Sequence, residues 1–564
     1  MDRYYFFERN LLALSAQNPL LCSQLSAAET TLNRYKFLES VSGEIVPALV
    51  DHTGSARPLH SMIDPHKEAN RLAANLLNRP APNPGTEINT PRLGAGSSEE
   101  NFIVFLGLGA GLIQEAVLHS GRVSGVLVID FDINGIAELF CSREYITLLG
   151  DPRFTLLVDP PPETIESALF EFYRPAICGG IKVLPLRTRT DADKHNFGLA
   201  SDAIQRTIEK VSSDYSVQAH FGTRWFSNII RNIGAAQDQN RSIPPVREAV
   251  ICAAGPSLDV QIPCLLEQKK SPRPFIITAD TALPALLYHG LKPDAVVSID
   301  CQHISYYHFI GTACMDIPLF LDIASPPMLT RFSALPFFFS GGHPLAVYIS
   351  QEWRPLPQLD TSGGNVAYAC LSLAENLGAQ RIFVYGADFS YPLGKMYARG
   401  TYIHPYFERR QERRAPLEAH FSSFLYRSPF VEHYTTETMQ FYRKRFEEKA
   451  SSMAAEVTIT RGLGDSLMFK GSAAGTGKNI TSLFSAGKAL MGANEFLEKY
   501  KQAIAALPLQ NLTDAEKRVF TTLLPQAAAI KRRCPEMTTP ELIETVKQYC
   551  INKINQGTAN RIFF

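Results

Sequence analysis

A chain of 564 residues, 45% hydrophobic and 20% charged, can bury several cores, and its length predicts two to four domains. Basic and acidic residues balance at 55 each, so no global charge argues for nucleic acid or an anionic membrane as partner. The start Met1-Asp2-Arg3-Tyr4-Tyr5 lacks the parts of a signal peptide, no apolar run suits a membrane span, and ten cysteines form no Cys-x-x-Cys pair, so a cytoplasmic protein with reduced cysteines is expected.

The first stretch, residues 1–95, reads as an N-terminal accessory region. Near its end Asp64 suits a helix cap, with Pro65 at the first helical position and Glu68 in the first turn. The polar, Pro- and Gly-rich run Asn78 to Ser98 then predicts an exposed connection. From Asn101 strand and helix alternate. Phe102-Ile103-Val104-Phe105-Leu106 runs into Gly107-Leu108-Gly109-Ala110-Gly111, and Val126-Leu127-Val128-Ile129 ends on Asp130. Glycines after one strand and a carboxylate after the next can seat a nucleoside: the glycines admit a ligand to the backbone and the acid takes a ribose hydroxyl. Further strands are expected near Phe154 and Gly180, giving a Rossmann-like domain over 96–190 and a helical connector over 191–245.

The second alternating region, 246–470, carries more chemistry. Val250-Ile251-Cys252-Ala253-Ala254 runs into Gly255-Pro256-Ser257-Leu258, a strand entering a tight turn whose free N–H groups and following helix favour an anion. The next apolar runs end on Asp280, Asp300 and Asp322, at the strand ends that line the ligand crevice of a parallel sheet. Thr361-Ser362-Gly363-Gly364 opens another helix, and Arg381-Ile382-Phe383-Val384-Tyr385 leads to Gly386-Ala387-Asp388-Phe389-Ser390-Tyr391. A polar loop with Lys395, Tyr397, Arg399, Tyr402 and His404 follows. Val457-Thr458-Ile459-Thr460 reads as a last strand, and 471–564 as a helical region in which Thr513 and Glu516 form a capping box. The fold class expected is α/β: two Rossmann-like β/α domains with parallel sheets, an N-terminal extension and a helical C-terminal region.

Three resemblances bear on function. The Gly107-Gly109-Gly111 turn with Asp130 resembles the first motif of S-adenosylmethionine-dependent methyltransferases, although Phe105 stands where that family usually has an acid. Gly255-Pro256-Ser257, Ser362-Gly363 and Gly386-Ala387-Asp388 follow the order seen in bacterial lipooligosaccharide sialyltransferases over about 247–410. With His60-Ser61, Asp64-Pro65, Glu68-Ala69 and Pro293-Asp294, the longer pattern over about 1–470 resembles the motility accessory factor family. That family shares its central domain with 6-hydroxymethylpterin diphosphokinase-like proteins and is implicated in attaching nonulosonic acids to flagellin.

The resemblance implies a transferase moving a sialic-like acid from a CMP-sugar to a serine or threonine of flagellin, with no resident cofactor. It places nucleotide and phosphate contacts at Gly255, Pro256, Ser257, Ser362 and Gly363 and a catalytic acidic residue at Asp388; what the chemistry needs, not the resemblance, adds Tyr391 at the phosphate and His404 as the base, with His303, His308 and His343 as competitors. Ala254, Asp280 and Asp300 replace asparagines of the sialyltransferases, and the two carboxylates leave open a Mg²⁺-dependent diphosphokinase. A flagellin assembly factor without catalysis is the third alternative.

Overall fold

The computed structural model describes residues 3–51, 53–78, 101–237, 239, 241–267, 273–312, 316–392, 395–416, 435–460, 462–463, 484–509 and 512–559. The chain divides into two compact units, Met1–Gly222 with Leu524–Val546, and Thr223–Leu523 with Lys547–Phe564. The expected linker 78–98 lies almost wholly outside the described residues. Among the described residues no helix is long and apolar enough to cross a membrane.

In the first unit the expected strands form β4 (Asn101–Leu106), β5 (Val123–Asp130), β6 (Phe154–Val158) and β7 (Gly180–Pro185), all parallel in the order β6-β5-β4-β7. Residues of β4 alternate between two cores: Ile103 and Phe105 face one, Phe102 and Val104 the other. Two-sided burial of that kind requires the unbroken apolar run seen in the sequence. The helix at Asp64 forms as read: Asp64 accepts from Lys67 N at 2.8 Å, and Glu68 reaches back to Ser61 N at 2.7 Å. Ahead of it lies an antiparallel sheet absent from the sequence reading, β1 (Tyr35–Glu39), β2 (Ile45–Val50) and β3 (Ala56–Pro58).

The second unit is built on a parallel sheet ordered β13-β12-β11-β10-β9-β14-β15. Its strands are β9 (Glu248–Cys252), β10 (Phe275–Ala279), β11 (Ala295–Ser298), β12 (Leu319–Asp322), β13 (Pro336–Phe339), β14 (Arg381–Tyr385) and β15 (Glu456–Ile459). From β9 the chain steps outward in one direction to β13, then returns to lay β14 on the other side of β9. Ile251 therefore pairs with Ile277 of β10 and Val384 of β14. The reversal is a topological switch point, where a crevice opens beyond the carboxyl ends of the strands. Helix Val366–Asn376, buried along nearly its whole length, packs on β9, β10 and β11. Leading into β14, it runs against the strands, so its amino end lies at that same rim. The capping box also forms, with Thr513 N donating to Glu516 at 2.8 Å and Glu516 N to Thr513 Oγ1 at 3.3 Å.

Candidate active site

At the switch point, the turn after β9 meets the turn after β14. Gly255 N donates to Gly386 O at 2.9 Å and Ser257 N to Asp388 Oδ2 at 2.8 Å, while Ser257 Oγ donates to Asp388 Oδ1. A Cβ on Gly255 would fall 2.3 Å from Asp388 Oδ2, and one on Gly386, at φ +66°, 2.3 Å from Ala253 O. Both glycines are therefore required for the approach, not merely tolerated. Ser257 Oγ also accepts from Leu463 N at 2.6 Å. The resemblance assigns phosphate contacts to Gly255 and Ser257, yet these N–H groups are spent inside the protein. Asp388, 2% exposed, fills the anion place at the turn and holds Ser257 there. Burial pushes its carboxyl above the usual range, and its bonds from Ser257 pull the other way.

Alongside lie the ends of β10 and β11. Asp280 accepts from Ser298 Oγ at 2.6 Å, from Thr281 N at 2.7 Å and from Thr281 Oγ1 at 3.1 Å. Asp300 accepts from Gln302 N at 2.9 Å; burial raises its pKa and the charge of Asp280 adds to that. Thr281 Oγ1 also lies 3.4 Å from His308 Nε2, and the His308 ring packs edge-on against Tyr402. Asp322, one strand further out, is pushed up to about 6 by burial.

The Ser362-Gly363 step opens helix Val366–Asn376, capped by Asn365, which accepts from Tyr368 N at 2.9 Å. A Cβ on Gly363 would strike the Tyr368 ring at 2.2 Å. Helix Glu437–Ser452 supplies two side chains here that carry no motif. The Tyr442 ring lies 3.0 Å from where a Cβ on Gly364 would stand and is within electrostatic reach of Asp300, and Arg445 donates to Ser362 Oγ at 3.3 Å. Ala398 N bonds Ala254 O at 2.9 Å, drawing the loop after β14 across the end of β9. Buried Tyr391 and half-buried Tyr397 sit on that loop, and desolvation pushes the Tyr397 hydroxyl up to about 12.

His404 does not stand in a solvated loop. It falls in a short helix, Ile403–Glu408, is 8% exposed, and its Nε2 lies 3.3 Å from Tyr397 O. Of its competitors, His343 is a helix cap accepting from Leu345 N at 3.2 Å, with burial lowering its pKa to about 3. His303 precedes the four-residue helix that carries His308 to the rim.

The glycine loop of the first unit is closed by the protein itself. Asp130 accepts from Leu108 N at 2.8 Å, Phe131 N at 2.7 Å and Arg189 Nε at 2.9 Å, and is fully buried. Ala110 N donates to His60 Nε2 at 3.0 Å, Tyr145 Oη donates to Gly109 O at 2.8 Å, and Gly107 N and Gly111 N bond the main chain. A Cβ on Gly109 would meet both His60 and Leu186 at 2.8 Å. Where a nucleoside would approach the backbone, His60 already stands.

Residues 224–394 match the family model described as 6-hydroxymethylpterin diphosphokinase MptE-like. Among curated proteins, uncharacterized proteins of Treponema pallidum (strain Nichols) are similar: one is 42% identical over 138 residues (22% of this chain, 49% of the relative). Another is 37% identical over 111 residues (19% and 51%). The chain thus spans about half the length of these relatives. Among solved structures, the MAf glycosyltransferase from Magnetospirillum magneticum AMB-1 superposes with a TM-score of 0.58 at 14% identity, over 98% of this chain and 95% of that one. The chain therefore carries an MptE-like match over residues 224–394 and shares the fold of that MAf glycosyltransferase, in line with the longer pattern read over about 1–470.

Proposed function

We propose that this chain is a glycosyltransferase that moves a nonulosonic acid from a CMP-activated donor to a serine or threonine hydroxyl of flagellin. The supporting observation is the convergence at the switch point of the Gly255–Ser257 turn, held by Asp388, with Asp280, Asp300 and the Ser362-Gly363 helix start. The donor lies across this rim. Gly255 and Gly386 keep its floor flat, and Ser362 with the Arg445 guanidinium offers the phosphate a hydroxyl and a positive charge. Leaving of CMP passes through a cation-like sugar, which the carboxylates of Asp280 and Asp300 favour electrostatically.

A second reading is a diphosphokinase acting on a pterin-like alcohol, favoured by the MptE-like match and by the neighbouring carboxylates. Both oxygens of Asp280 already accept hydrogen bonds from Ser298 and Thr281, so Asp300 is the carboxylate suited to a Mg²⁺ ion. Such an ion would bring water ligands and substrate phosphates and neutralise charge on the transferring group. Calorimetry with CMP, ATP and S-adenosylmethionine, with and without Mg²⁺, separates the readings. Metal-independent CMP binding is expected; ATP binding that needs Mg²⁺ favours the second reading, and silence with all ligands refutes both.

A further inference from the structure

The hydrogen-bond chain behind His308 has a direction. Thr281 Oγ1 carries one proton, and at 3.1 Å from Asp280 Oδ1 it donates that proton to the carboxylate. The contact of 3.4 Å between Thr281 Oγ1 and His308 Nε2 then takes its proton from the imidazole. A neutral ring with its hydrogen on Nε2 presents a lone pair at Nδ1. That Nδ1 is buried and has no hydrogen-bond partner among the described residues, in a residue only 7% exposed. An unmet buried acceptor costs about 1–3 kcal/mol, and a catalytic role is one reason a native structure keeps one. By contrast, Nε2 of His404 faces the Tyr397 carbonyl.

We infer that His308 is the base of the transfer reaction, its Nδ1 taking the proton of the attacking hydroxyl while Asp280, acting through Thr281, holds the ring in the required tautomer. This rests on the glycosyl-transfer reading. As the bond from the anomeric carbon to the CMP phosphate oxygen breaks, CMP leaves with the electron pair. The acceptor oxygen bonds the anomeric carbon, and its proton passes to Nδ1. The imidazolium formed is then balanced by Asp280 through Thr281 and by Asp300, whose carboxyl already senses the His308 ring. The group packed against the imidazole from the loop after β14 is Tyr402, an aromatic ring that brings no charge at neutral pH.

The experiment measures CMP release from CMP-N-acetylneuraminic acid by the full chain, with flagellin and with water as acceptor, across pH 5–9. His308→Gln keeps a donor near Nε2 for Thr281 but has no base at Nδ1. It is expected to lose about 100-fold or more in kcat with donor KM within about threefold, and to lose the acid limb of the wild-type profile. Nitrogen-15 spectra of the wild type, with His308→Gln used to assign the signal, are expected to show the hydrogen on Nε2. Full activity with the acid limb intact in His308→Gln overturns the assignment, as does loss of that limb only in His404→Gln. A hydrogen on Nδ1 overturns it without any turnover measurement, so misfolding of the variant does not shield it. An inert wild type overturns the transfer reading itself and the role of His308 with it, whereas an active wild type beside an active His308→Gln refutes the base alone.

Discussion

Replacing Asp388 separates a charge that reacts from a charge that holds a turn. In Asp388→Ala the buried Ser257 N–H loses its acceptor and the Ser257 hydroxyl loses its partner. Each loss costs about 1–3 kcal/mol, partly offset because the carboxylate no longer has to be buried, for a net of about 2–4 kcal/mol. Asparagine keeps an acceptor for the N–H and an amide donor for the hydroxyl oxygen. Because burial lifts the Asp388 carboxyl above its unfolded value, the folded state holds its proton more tightly. Stability from this group is present below the ordinary carboxylate range and is lost as pH rises through the folded pKa. At pH 7 Asp388→Asn is therefore expected to be at least as stable as the wild type, and Asp388→Ala clearly less so. The two tryptophans of the chain, Trp225 and Trp353, both lie in the second unit, so their fluorescence follows its unfolding. With a urea dependence of about 3 kcal/mol per molar, the alanine variant should lose about 1 M in midpoint. Transfer should fall sharply in Asp388→Ala, because a floor displaced by ~1 Å costs about 100-fold, and remain measurable in Asp388→Asn. Equal midpoints for the alanine variant and wild type, or an inactive but stable asparagine variant, would refute the holding role.

Gly386→Ala places a Cβ 2.3 Å from Ala253 O at φ +66° and should cost about 2–4 kcal/mol by tryptophan-detected urea unfolding; Gly342→Ala, at φ +93° with no neighbour within 4 Å, should cost only about 1–2 kcal/mol. Equal losses would show that backbone angle alone matters. In the first unit, burial, then the charge of Arg143, lowers His60 to about 4. Stability from His60 is accordingly present above about pH 6.5 and is lost as pH falls through its folded pKa, by up to about 3 kcal/mol. Hydrogen exchange of the peptide containing Ala110, corrected for intrinsic rates, should show protection falling from pH 6.5 to 5 in the wild type but not in His60→Gln; parallel curves would refute the closure.

The central strands could be read from the sequence because β9, β10, β14 and their neighbours are buried on both faces, which forces short apolar runs ending at Gly or Asp. β13 escaped although Phe337-Phe338-Phe339 is a short apolar run before Ser340-Gly341-Gly342, because Pro336 opens it and it lies at the sheet edge, and β2 because Pro47 sits inside it. The site was readable as a set of strand ends, but not as a set of partners. Ser257 and Asp388 stand 131 positions apart, and nothing local announces that one accepts from the other. Polar composition put His404 in a loop, whereas packing buries it in a short helix. Tyr442 and Arg445 sit on a helix whose pattern is that of any surface helix.

The two units use one local arrangement to opposite ends. In each, a carboxylate after one strand accepts from the turn after its neighbour: Asp130 from Leu108 N, Asp388 from Ser257 N. In the first unit Arg189 then neutralises Asp130 and His60 fills the approach, as suits a scaffold. In the second, Asp280, Asp300 and Asp322 are held by hydroxyl and main-chain donors, with no ion pair among the described residues. Carboxylates gathered at a rim with no ion-pair partner among the described residues oppose stability, and a fold keeps them where chemistry needs them. Asp300 tests that argument. Burial and Asp280 raise its pKa, so its contribution to stability is lost as pH rises above the ordinary carboxylate range. Asp300→Asn keeps the acceptor for Gln302 N while removing the charge, and is expected to raise the urea midpoint at pH 7, an advantage that vanishes toward pH 4. It should at the same time lower transfer, because the cation-like sugar and the His308 imidazolium both lose a compensating charge. A variant less stable than wild type at pH 7, or more stable and equally active, would remove the ground for placing the chemistry at this rim.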